Sequence, residues 1–310
     1  MAAGATVLAE AVQSYLSMRR AIGFKLISEG QRLQSFARFS DMRGRYYVCN
    51  EIAIEWAALA RSLPERARRL GDVIRFSRYI RAEDERHQLP PRAFGSENRP
   101  RPVPYIFSRA EVRRALQAAS QLSCADSFSR HTYSTLFGLL ACTGLRISEA
   151  LRLRLADISD DGLVIRCSKF RKSRLVPLHQ SVQIELERYL RRRCAHAPYE
   201  DHVFVSRRKR PIRLQEVERV FHSIVQKIGL PRGPGLPRPL IHSLRHTFAV
   251  RALERCPDDH NRITQHMLAL STYLGHCKVA HTYWYLEATP HLMQNIAERV
   301  ERFVSQRSRP

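Results

Sequence analysis

The chain has 310 residues, of which 52 are Lys or Arg and 29 are Asp or Glu, so its formal net charge is +23. Its length is typical of two domains of about 100–200 residues each. We expect a protein this basic to bind a polyanion, because each phosphate contact releases condensed counterions; a basic surface that is only solvated is the alternative.

The seven cysteines are odd in number and no pair has C-x-x-C spacing, which argues against a disulfide framework and a cysteine-based zinc site. No segment reaches the roughly 20 apolar residues that span a bilayer. The first residues lack the basic segment and apolar run of a signal peptide. These features predict a cytoplasmic protein with reduced thiols.

The first 90 residues predict a helical domain. Apolar residues recur at helical spacing at 8–16 and 33–37, and two further helices are predicted at 51–60 and 64–82. The fourth helix carries six arginines: Arg66, Arg68, Arg69, Arg75, Arg78 and Arg81. These cations either follow a phosphate backbone or are only solvated, and the charge of the whole chain favours the first. The candidates for DNA contact are Arg66, Arg69 and Arg75.

A proline-rich segment separates this domain from the next. Five prolines lie between residues 90 and 104, with small polar residues among them, so a linker is predicted at 91–107. Ser108 and Glu111 then form an S-x-x-E pattern, which starts a helix by satisfying two backbone N–H groups. The predicted domains are therefore 1–90 and 108–310.

The second domain is predicted to be mainly helical with a small antiparallel sheet, an α+β class. Its predicted elements are an apolar helix at 132–142, strands at 163–167 and 174–178, helices at 180–193 and 214–228, and a loop at 229–239.

Three segments of this domain carry side chains suited to phosphodiester transfer, which needs cations, a nucleophile and a proton donor. In the first, Arg146 follows a helix-ending glycine and Glu149 lies three residues later; a surface salt bridge is the alternative. In the second, His242 and Arg245 share one face at a helix start, where anions are favoured, although a lone histidine is more often structural.

The third segment contains His276 and then the aromatic run Tyr283, Trp284 and Tyr285. Taken alone, such an aromatic cluster is more often core than catalytic. The three segments are therefore informative only in combination.

Together they resemble the tyrosine recombinase (phage integrase) family. Four stretches carry the resemblance, in this order: TGLRISEAL, SKFRKSRLVPL, HSLRHTFAV and LGHCKVAHTYWYL. Tyr285 follows His276 by nine residues (285 − 276), which is the spacing of that family. The resemblance covers the second domain, and a helical first domain is compatible with the core-binding domain of the family.

The resemblance implies a C-shaped clamp of two domains around DNA and a covalent 3′-phosphotyrosine intermediate. Tyr285 would be the nucleophile; Tyr283 is the rival, but it lies two residues early and matches no position of the family. Arg146 and Arg245 would hold the scissile phosphate and offset the charge of the transition state.

The remaining roles are also implied by the resemblance. His242 would assist by hydrogen bonding and proton transfer, and His276 would donate a hydrogen bond to the phosphate. Lys169 would protonate the leaving 5′-oxygen, with Lys172 as the rival for this role. Glu149 would support the first arginine. Lys172 and Arg174, on the same hairpin, are further candidates for DNA contact.

The resemblance also predicts the biological setting. Arg245 and His276 are 31 residues apart (276 − 245), a longer segment than in the Xer branch, which indicates a recombinase of a mobile element. A C-terminal helix at 290–304 would either pack on its own domain or join a neighbour in a tetramer or mixed assembly on double-stranded DNA. Neither a cofactor nor a metal is expected, and the protein would be nucleoid-associated when bound to DNA.

Three alternative functions remain at this point. A metal-dependent nuclease would need clustered carboxylates, which this acid-poor chain lacks, and a zinc site at His260 and His266 has poor spacing. A DNA-binding protein that has lost catalysis is the second alternative. A type IB topoisomerase, which shares the chemistry, is the third.

Overall fold

The structure, a computed structural model, describes residues 7–95, 103–122, 126–166, 173–231, 233, 235–255, 260–276, 282, 284 and 285, without the side chains of 260–263. The chain divides into two compact units, Met1–Arg101 and Pro102–Pro310. The boundary falls within the segment predicted as a linker, and residues 103–107 belong to the second unit. The roles assigned to the two domains stay predictions.

The first unit contains helices close to the four predicted positions, which confirms the helical character of this region. They are α1 (Val7–Ala21), α2 (Ile27–Met42), α3 (Asn50–Ala58) and α4 (Leu63–Ile80). Aromatic side chains fill the core between them: Phe36 meets Trp56 edge to face at 5.4 Å, and Tyr15 meets Phe76 at 5.5 Å. Such pairs add roughly 0.5–1.5 kcal/mol to the burial of their surface.

The second unit begins with a segment that is bonded to a helix much later in the chain. The backbone N–H of Phe107 donates to Thr247 Oγ1 at 2.9 Å, and Arg251 Nη2 donates to the Phe107 carbonyl at 2.9 Å. The predicted capping box follows and is confirmed, since Glu111 N–H donates to Ser108 Oγ and Ser108 N–H donates to the Glu111 carboxylate.

The other described helices belong to the second unit. They are α5 (Arg109–Ser120), α6 (Ser127–Thr143), α7 (Ile147–Ala150), α8 (Gln180–His196), α9 (Leu214–Lys227), α10 (Ile241–Glu254) and α11 (His260–Leu274). The prediction for α6 began at residue 132, five residues too late. The helix begins at Ser127, because the Asp126 carboxylate accepts the Phe128 N–H at 2.8 Å and caps its first turn. Helices α5, α8 and α10 pack directly on α6.

The described part of the sheet has three antiparallel strands in the order β1-β2-β3, where the sequence predicted two. They are β1 (Ile158–Ser159), β2 (Gly162–Ile165) and β3 (Arg174–Val176). Leu163 pairs with Val176 and Ile165 pairs with Arg174. Strand β1 is two residues long, which is too short to show an alternating pattern in the sequence.

A buried arginine fixes the loop after α8. Arg193 has no exposed surface, and its guanidinium donates to the carbonyl oxygens of Ala197 at 3.2 Å and of His202 at 2.6 and 2.9 Å, as well as to that of Glu200. The cation therefore satisfies main-chain acceptors of the loop that follows the helix.

Several predictions concern residues outside the described ranges. These are Lys169, Lys172, Tyr283 and the C-terminal helix at 290–304. Among the described helices, none is both long enough and apolar enough to cross a bilayer.

Candidate active site

The end of α6 brings Arg146 into the site. Gly144 ends the helix in the left-handed conformation, with φ at 60°, and donates its N–H to the Leu140 carbonyl at 3.0 Å. A Cβ at this position would lie 2.5 Å from the ring of Phe248, so only glycine fits without a shift. The chain then turns so that Arg146 stands at the start of α7 with its side chain 25% exposed.

Arg245, in the first turns of α10, connects two other helix ends. Its side chain is buried, Nη1 donates to the Gly144 carbonyl at 2.6 Å, and Nη2 donates to the Leu274 carbonyl at 2.6 Å. These bonds use two of the five guanidinium N–H donors, so further donors are left for an anion. The C-terminal ends of α6 and α11 are thereby fixed to the start of α10.

Gly275 completes this junction at the end of α11. Its carbonyl accepts Arg146 Nη2 at 3.0 Å, and its φ of 65° is left-handed. A Cβ on Gly275 would lie 2.8 Å from Arg174 Nη1, so the glycine allows Arg174 to pass directly beneath the turn.

Glu149 is the buried counter-ion of the site. Its carboxylate accepts Arg146 Nη1 at 2.8 Å and binds both terminal nitrogens of Arg174, at 2.8 and 3.1 Å. Burial alone would raise the pKa of Glu149, but the hydrogen bonds and charges of Arg174 and Arg146 lower it to about 2. Arg174 also donates Nε to the Tyr273 carbonyl at 2.7 Å, so it joins β3 to the end of α11.

The site carries an excess of positive charge. Arg146, Arg174 and Arg245 supply three cations and Glu149 supplies one anion, so these four groups sum to +2 (3 − 1). Burial, together with the charge of Arg146, lowers the pKa of Arg245 to about 10, which still leaves it charged at neutral pH. An excess of fixed, partly desolvated cations favours the binding of an anion such as a phosphodiester.

His242 stands at the start of α10 on the same side as Arg245. Although His242 is exposed by surface area, surrounding protein atoms desolvate its ring, and this effect and the charges of Arg245 and Arg146 lower its pKa to about 4. Its ring lies 4.5 Å from that of His246, edge to face. At neutral pH the imidazole is therefore uncharged and can accept a proton.

Tyr285 lies against the histidines of the site. It is 3% exposed, its ring stacks on His276 at 6.0 Å, and it meets the rings of His246 and Trp284 at 5.4 Å each. The ionised phenol would raise the pKa of Arg245, so the two groups are within electrostatic reach. The tyrosine is thus both a member of an aromatic cluster and a neighbour of the basic groups.

His276 is held by a hydrogen bond between Nδ1 and Thr282 Oγ1 at 2.7 Å. Thr282 has no exposed surface. A bond at Nδ1 orients the imidazole ring. Of the other predicted histidines, His266 Nε2 contacts the Ala252 carbonyl at 2.8 Å, and no described cluster of three His, Cys, Asp or Glu could hold a metal.

The structure therefore brings Arg146, Glu149, His242, Arg245 and His276 together with Tyr285. The sequence did not indicate that Arg174 supports the site through Glu149, or that Thr282 orients His276. No sequence signal pointed to Arg174, because Arg146, Arg152 and Arg154 all lie closer to Glu149 along the chain. Thr282 has no periodic relation to His276, so no pattern indicates the contact.

The predicted DNA contacts on α4 have mixed environments. Arg66 is half-buried and donates Nε to the Ala60 carbonyl at 2.8 Å, and half-buried Arg69 lies over the Trp56 ring at 5.2 Å. Arg75 is exposed and pairs with buried Asp72. A role of these three arginines in DNA contact stays a prediction.

A basic pocket beside a phenol is suited to transfer a phosphoryl group to tyrosine. The profile of the phage integrase family matches residues 106–291, which contain all of these site residues. The chain belongs to this family, the tyrosine recombinases, and site-specific recombination is the activity that the family membership assigns to it.

Curated relatives agree with this assignment. The chain is 38% identical over 303 residues to y4rB of Sinorhizobium fredii, a candidate integrase/recombinase, covering 94% of this chain and 96% of that protein. It is 30% identical over 241 residues to the tyrosine recombinase XerD of Caulobacter vibrioides, covering 75% of this chain and 73% of the relative.

Solved structures share the fold. The XerH site-specific recombinase, in a post-cleavage complex with difH substrate, aligns with a TM-score of 0.65 at 18% identity over 94% of this chain and 84% of that one. The Tn1549 transposon integrase, in complex with transposon right-end DNA, aligns with a TM-score of 0.65 at 17% identity over 94% and 99%. The mainly helical fold with a small antiparallel sheet is therefore confirmed.

Proposed function

We propose that the chain cleaves and rejoins double-stranded DNA at a specific site, with Tyr285 as the nucleophile and a 3′-phosphotyrosine as the intermediate. One observation carries the assignment of residues. Arg245 and Arg146 hold the ends of α6 and α11 together while both keep N–H donors for an anion, and Arg245 lies within electrostatic reach of Tyr285.

In this mechanism Tyr285 Oη attacks the phosphorus, the new O–P bond forms, and the bond from phosphorus to the 5′-oxygen breaks. An ordinary tyrosine has a pKa of about 10, so the cations of the site must favour the phenolate as it attacks. Uncharged His242 accepts or relays a proton on the attacking side. Lys169, with Lys172 as the rival, gives a proton to the leaving 5′-oxygen.

Arg146 and Arg245 then offset the extra negative charge of the pentavalent transition state. Their net charge with Arg174 and Glu149 is +2, which exceeds the single negative charge of a ground-state phosphodiester. Fixed dipoles and charges that match the transition state better than the substrate are what accelerate such a step. His276, oriented by Thr282, donates a hydrogen bond to the same phosphate.

The wider setting is part of the proposal. The protein would be cytoplasmic and nucleoid-associated, and would act for a mobile element as a tetramer on DNA or in a mixed assembly with related recombinases. Its C-terminal helix at 290–304 would join protomers. The length of the chain between Arg245 and His276 supports the mobile-element setting.

The experiment is a trap for the covalent intermediate. Nicked duplexes with randomised sequence around the nick are incubated with the protein, so that the short 5′-hydroxyl strand diffuses away after cleavage and the adduct accumulates. SDS-resistant adducts are recovered and sequenced, which also identifies the site. We expect wild type to form the adduct with or without EDTA, and Tyr285→Phe to form none.

Tyr283→Phe is the matched control, because it removes the rival hydroxyl two residues away. An adduct from Tyr285→Phe together with none from Tyr283→Phe would show that the nucleophile is assigned wrongly. If the wild-type protein binds DNA but forms no adduct on any duplex of the pool, the chain is a DNA-binding protein without strand transfer.

A further inference from the structure

A turn of the second unit presents four consecutive cations outside the active site. Arg207, Arg208, Lys209 and Arg210 are all exposed. In the part of the chain that the structure describes, none of these four side chains takes part in an ion pair. Four adjacent like charges repel one another and gain from a polyanion that lies across them. We call residues 206–210 the basic turn.

The backbone of the basic turn is fixed by its own hydrogen bonds. Val205 and Pro211 form an antiparallel bridge below it. Ser206 N–H donates to the Arg210 carbonyl at 2.8 Å, its hydroxyl donates to the same oxygen at 3.0 Å, and Lys209 N–H donates back to the Ser206 carbonyl at 2.9 Å. The turn therefore has a defined shape, so binding requires little further ordering of the backbone.

The basic turn is also anchored in the core of the second unit. Phe204 and Val205, before the turn, have no exposed surface, and Ile212, after it, is 5% exposed. The ring of Phe204 stacks on that of Tyr189 at 5.4 Å. The four cations thus project from a rigid support rather than from a mobile loop.

An adjoining cleft of about 670 Å³ extends the positive surface. It is lined by Arg207 and Arg208 from the turn and by Arg219 from α9. Two carboxylates line it as well, Asp126 and Glu216, but both already have partners. Asp126 accepts the N–H that starts α6, at 2.8 Å, and Glu216 accepts a tyrosine hydroxyl at 3.0 Å. The three arginines and two carboxylates leave the lining of the cleft with a net charge of +1 (3 − 2).

The cleft and the active site lie at opposite ends of α6. The cleft reaches α6 at Ser129, and Gly144, which binds Arg245, lies 15 residues later (144 − 129). At 1.5 Å per residue these two positions on α6 are about 22 Å apart. The basic turn and the active site therefore contact well-separated surfaces of the second unit.

We propose that the basic turn binds the phosphate backbone of the same duplex, several base pairs away from the phosphate that the active site attacks. The active site alone holds one phosphate and cannot fix the direction of the helix axis. A second contact at this distance fixes the register and orientation of the duplex. The proposal rests on the proposed function, because it takes the substrate to be double-stranded DNA.

The first test measures binding to a duplex of random sequence as a function of salt. The variant is Arg207→Gln with Arg208→Gln and Arg210→Gln. Each lost phosphate contact lowers the slope of log affinity against log salt by about 0.9, so we expect a decrease of up to about 2.7. The control neutralises the exposed α8 arginines, with Arg188→Gln, Arg191→Gln and Arg192→Gln, which changes the net charge by the same amount.

We expect the control to keep the wild-type slope. A wild-type slope in the basic-turn variant, or an equal decrease in both variants, would overturn the proposal, because the turn would then have no specific contact with DNA. Circular dichroism and the unfolding midpoint of each variant show whether the fold is intact. This comparison needs no cleavage, so it decides on the basic turn even if the wild type forms no covalent adduct.

The second test maps the contact on the covalent complex by hydroxyl-radical footprinting. The basic-turn variant should still form the adduct at saturating protein, since it keeps every residue of the active site. It should lose backbone protection at a patch separated by several base pairs from the linked phosphate, while the α8 control keeps it. Protection that is unchanged, or lost only next to the linked phosphate, would contradict the proposed position.

Discussion

Removal of the buried charge of Glu149 tests whether the ion network holds the site together. Glu149→Gln keeps the shape of the side chain but leaves Arg146 and Arg174 close together without their shared anion. The carboxylate is 3% exposed, so little solvent is available to screen the repulsion. We therefore expect lower stability of the second unit and an Arg146 that no longer holds the carbonyl of Gly275.

The size of the effect follows from the pKa. The network lowers the pKa of Glu149 from its usual 4.5 to about 2. At 1.36 kcal/mol per pKa unit, the charged form contributes about 3 kcal/mol to the free energy of unfolding. Because the folded-state pKa is depressed, this contribution is complete above about pH 4.5 and is lost as the pH falls through about 2.

The assay is urea unfolding followed by the fluorescence of Trp284, in a Trp56→Phe background that removes the other tryptophan. With a slope of about 2 kcal/mol per M, the midpoint of Glu149→Gln should fall by about 1.5 M at pH 7. At pH 3 the difference from wild type should shrink to less than half. An equal difference at both pH values would refute the electrostatic argument, since lost packing does not titrate.

Two further substitutions have matched controls. Gly144→Ala should lower the free energy of unfolding more than Gly229→Ala. Both glycines have a left-handed φ, which costs a residue with Cβ about 1–2 kcal/mol, but only a Cβ at position 144 would also meet the Phe248 ring. Gly144→Ala should also slow adduct formation. Arg193→Lys should lower the free energy of unfolding by about 3 kcal/mol, because one ammonium cannot reach all the carbonyls that the guanidinium binds. The exposed control, Arg192→Lys, should change it by less than about 0.5 kcal/mol. Thermal and urea unfolding measure both pairs, and equal effects within a pair would contradict the reasoning.

The sequence predicts the elements whose signals are local. The capping box at Ser108 and Glu111 depends on two side chains three residues apart, so the pattern is sufficient to place the start of α5. The amphipathic helices of the first unit have the same advantage, since their apolar spacing is visible in any short window. The start of α6 was missed because a single Asp126 cap, without a Glu or Gln three residues later, gives a weak signal.

Contacts between distant segments are harder to predict. Arg174 lies 25 residues from Glu149 in the chain and was interpreted as a DNA contact, yet its side chain is only 10% exposed and binds within the protein. Its role in DNA contact stays a prediction. Tyr285 shows the opposite case. Its aromatic neighbours indicate a core residue, and only its spacing from His276 indicates a catalytic one. The structure contains both features, since the ring is buried and lies within reach of Arg245.

The attachment of Phe107 to α10 bears on how such chains can be recombined by design. Both polar groups of its peptide backbone are bonded to Thr247 and Arg251, which follow Arg245 on α10 by two and six residues (247 − 245 and 251 − 245). A chimera that exchanges the first unit should therefore be joined before residue 103, so that residues 103–107 stay with α10, to which Phe107 is bonded. A junction placed at the capping box itself would separate two halves of one cooperative structure.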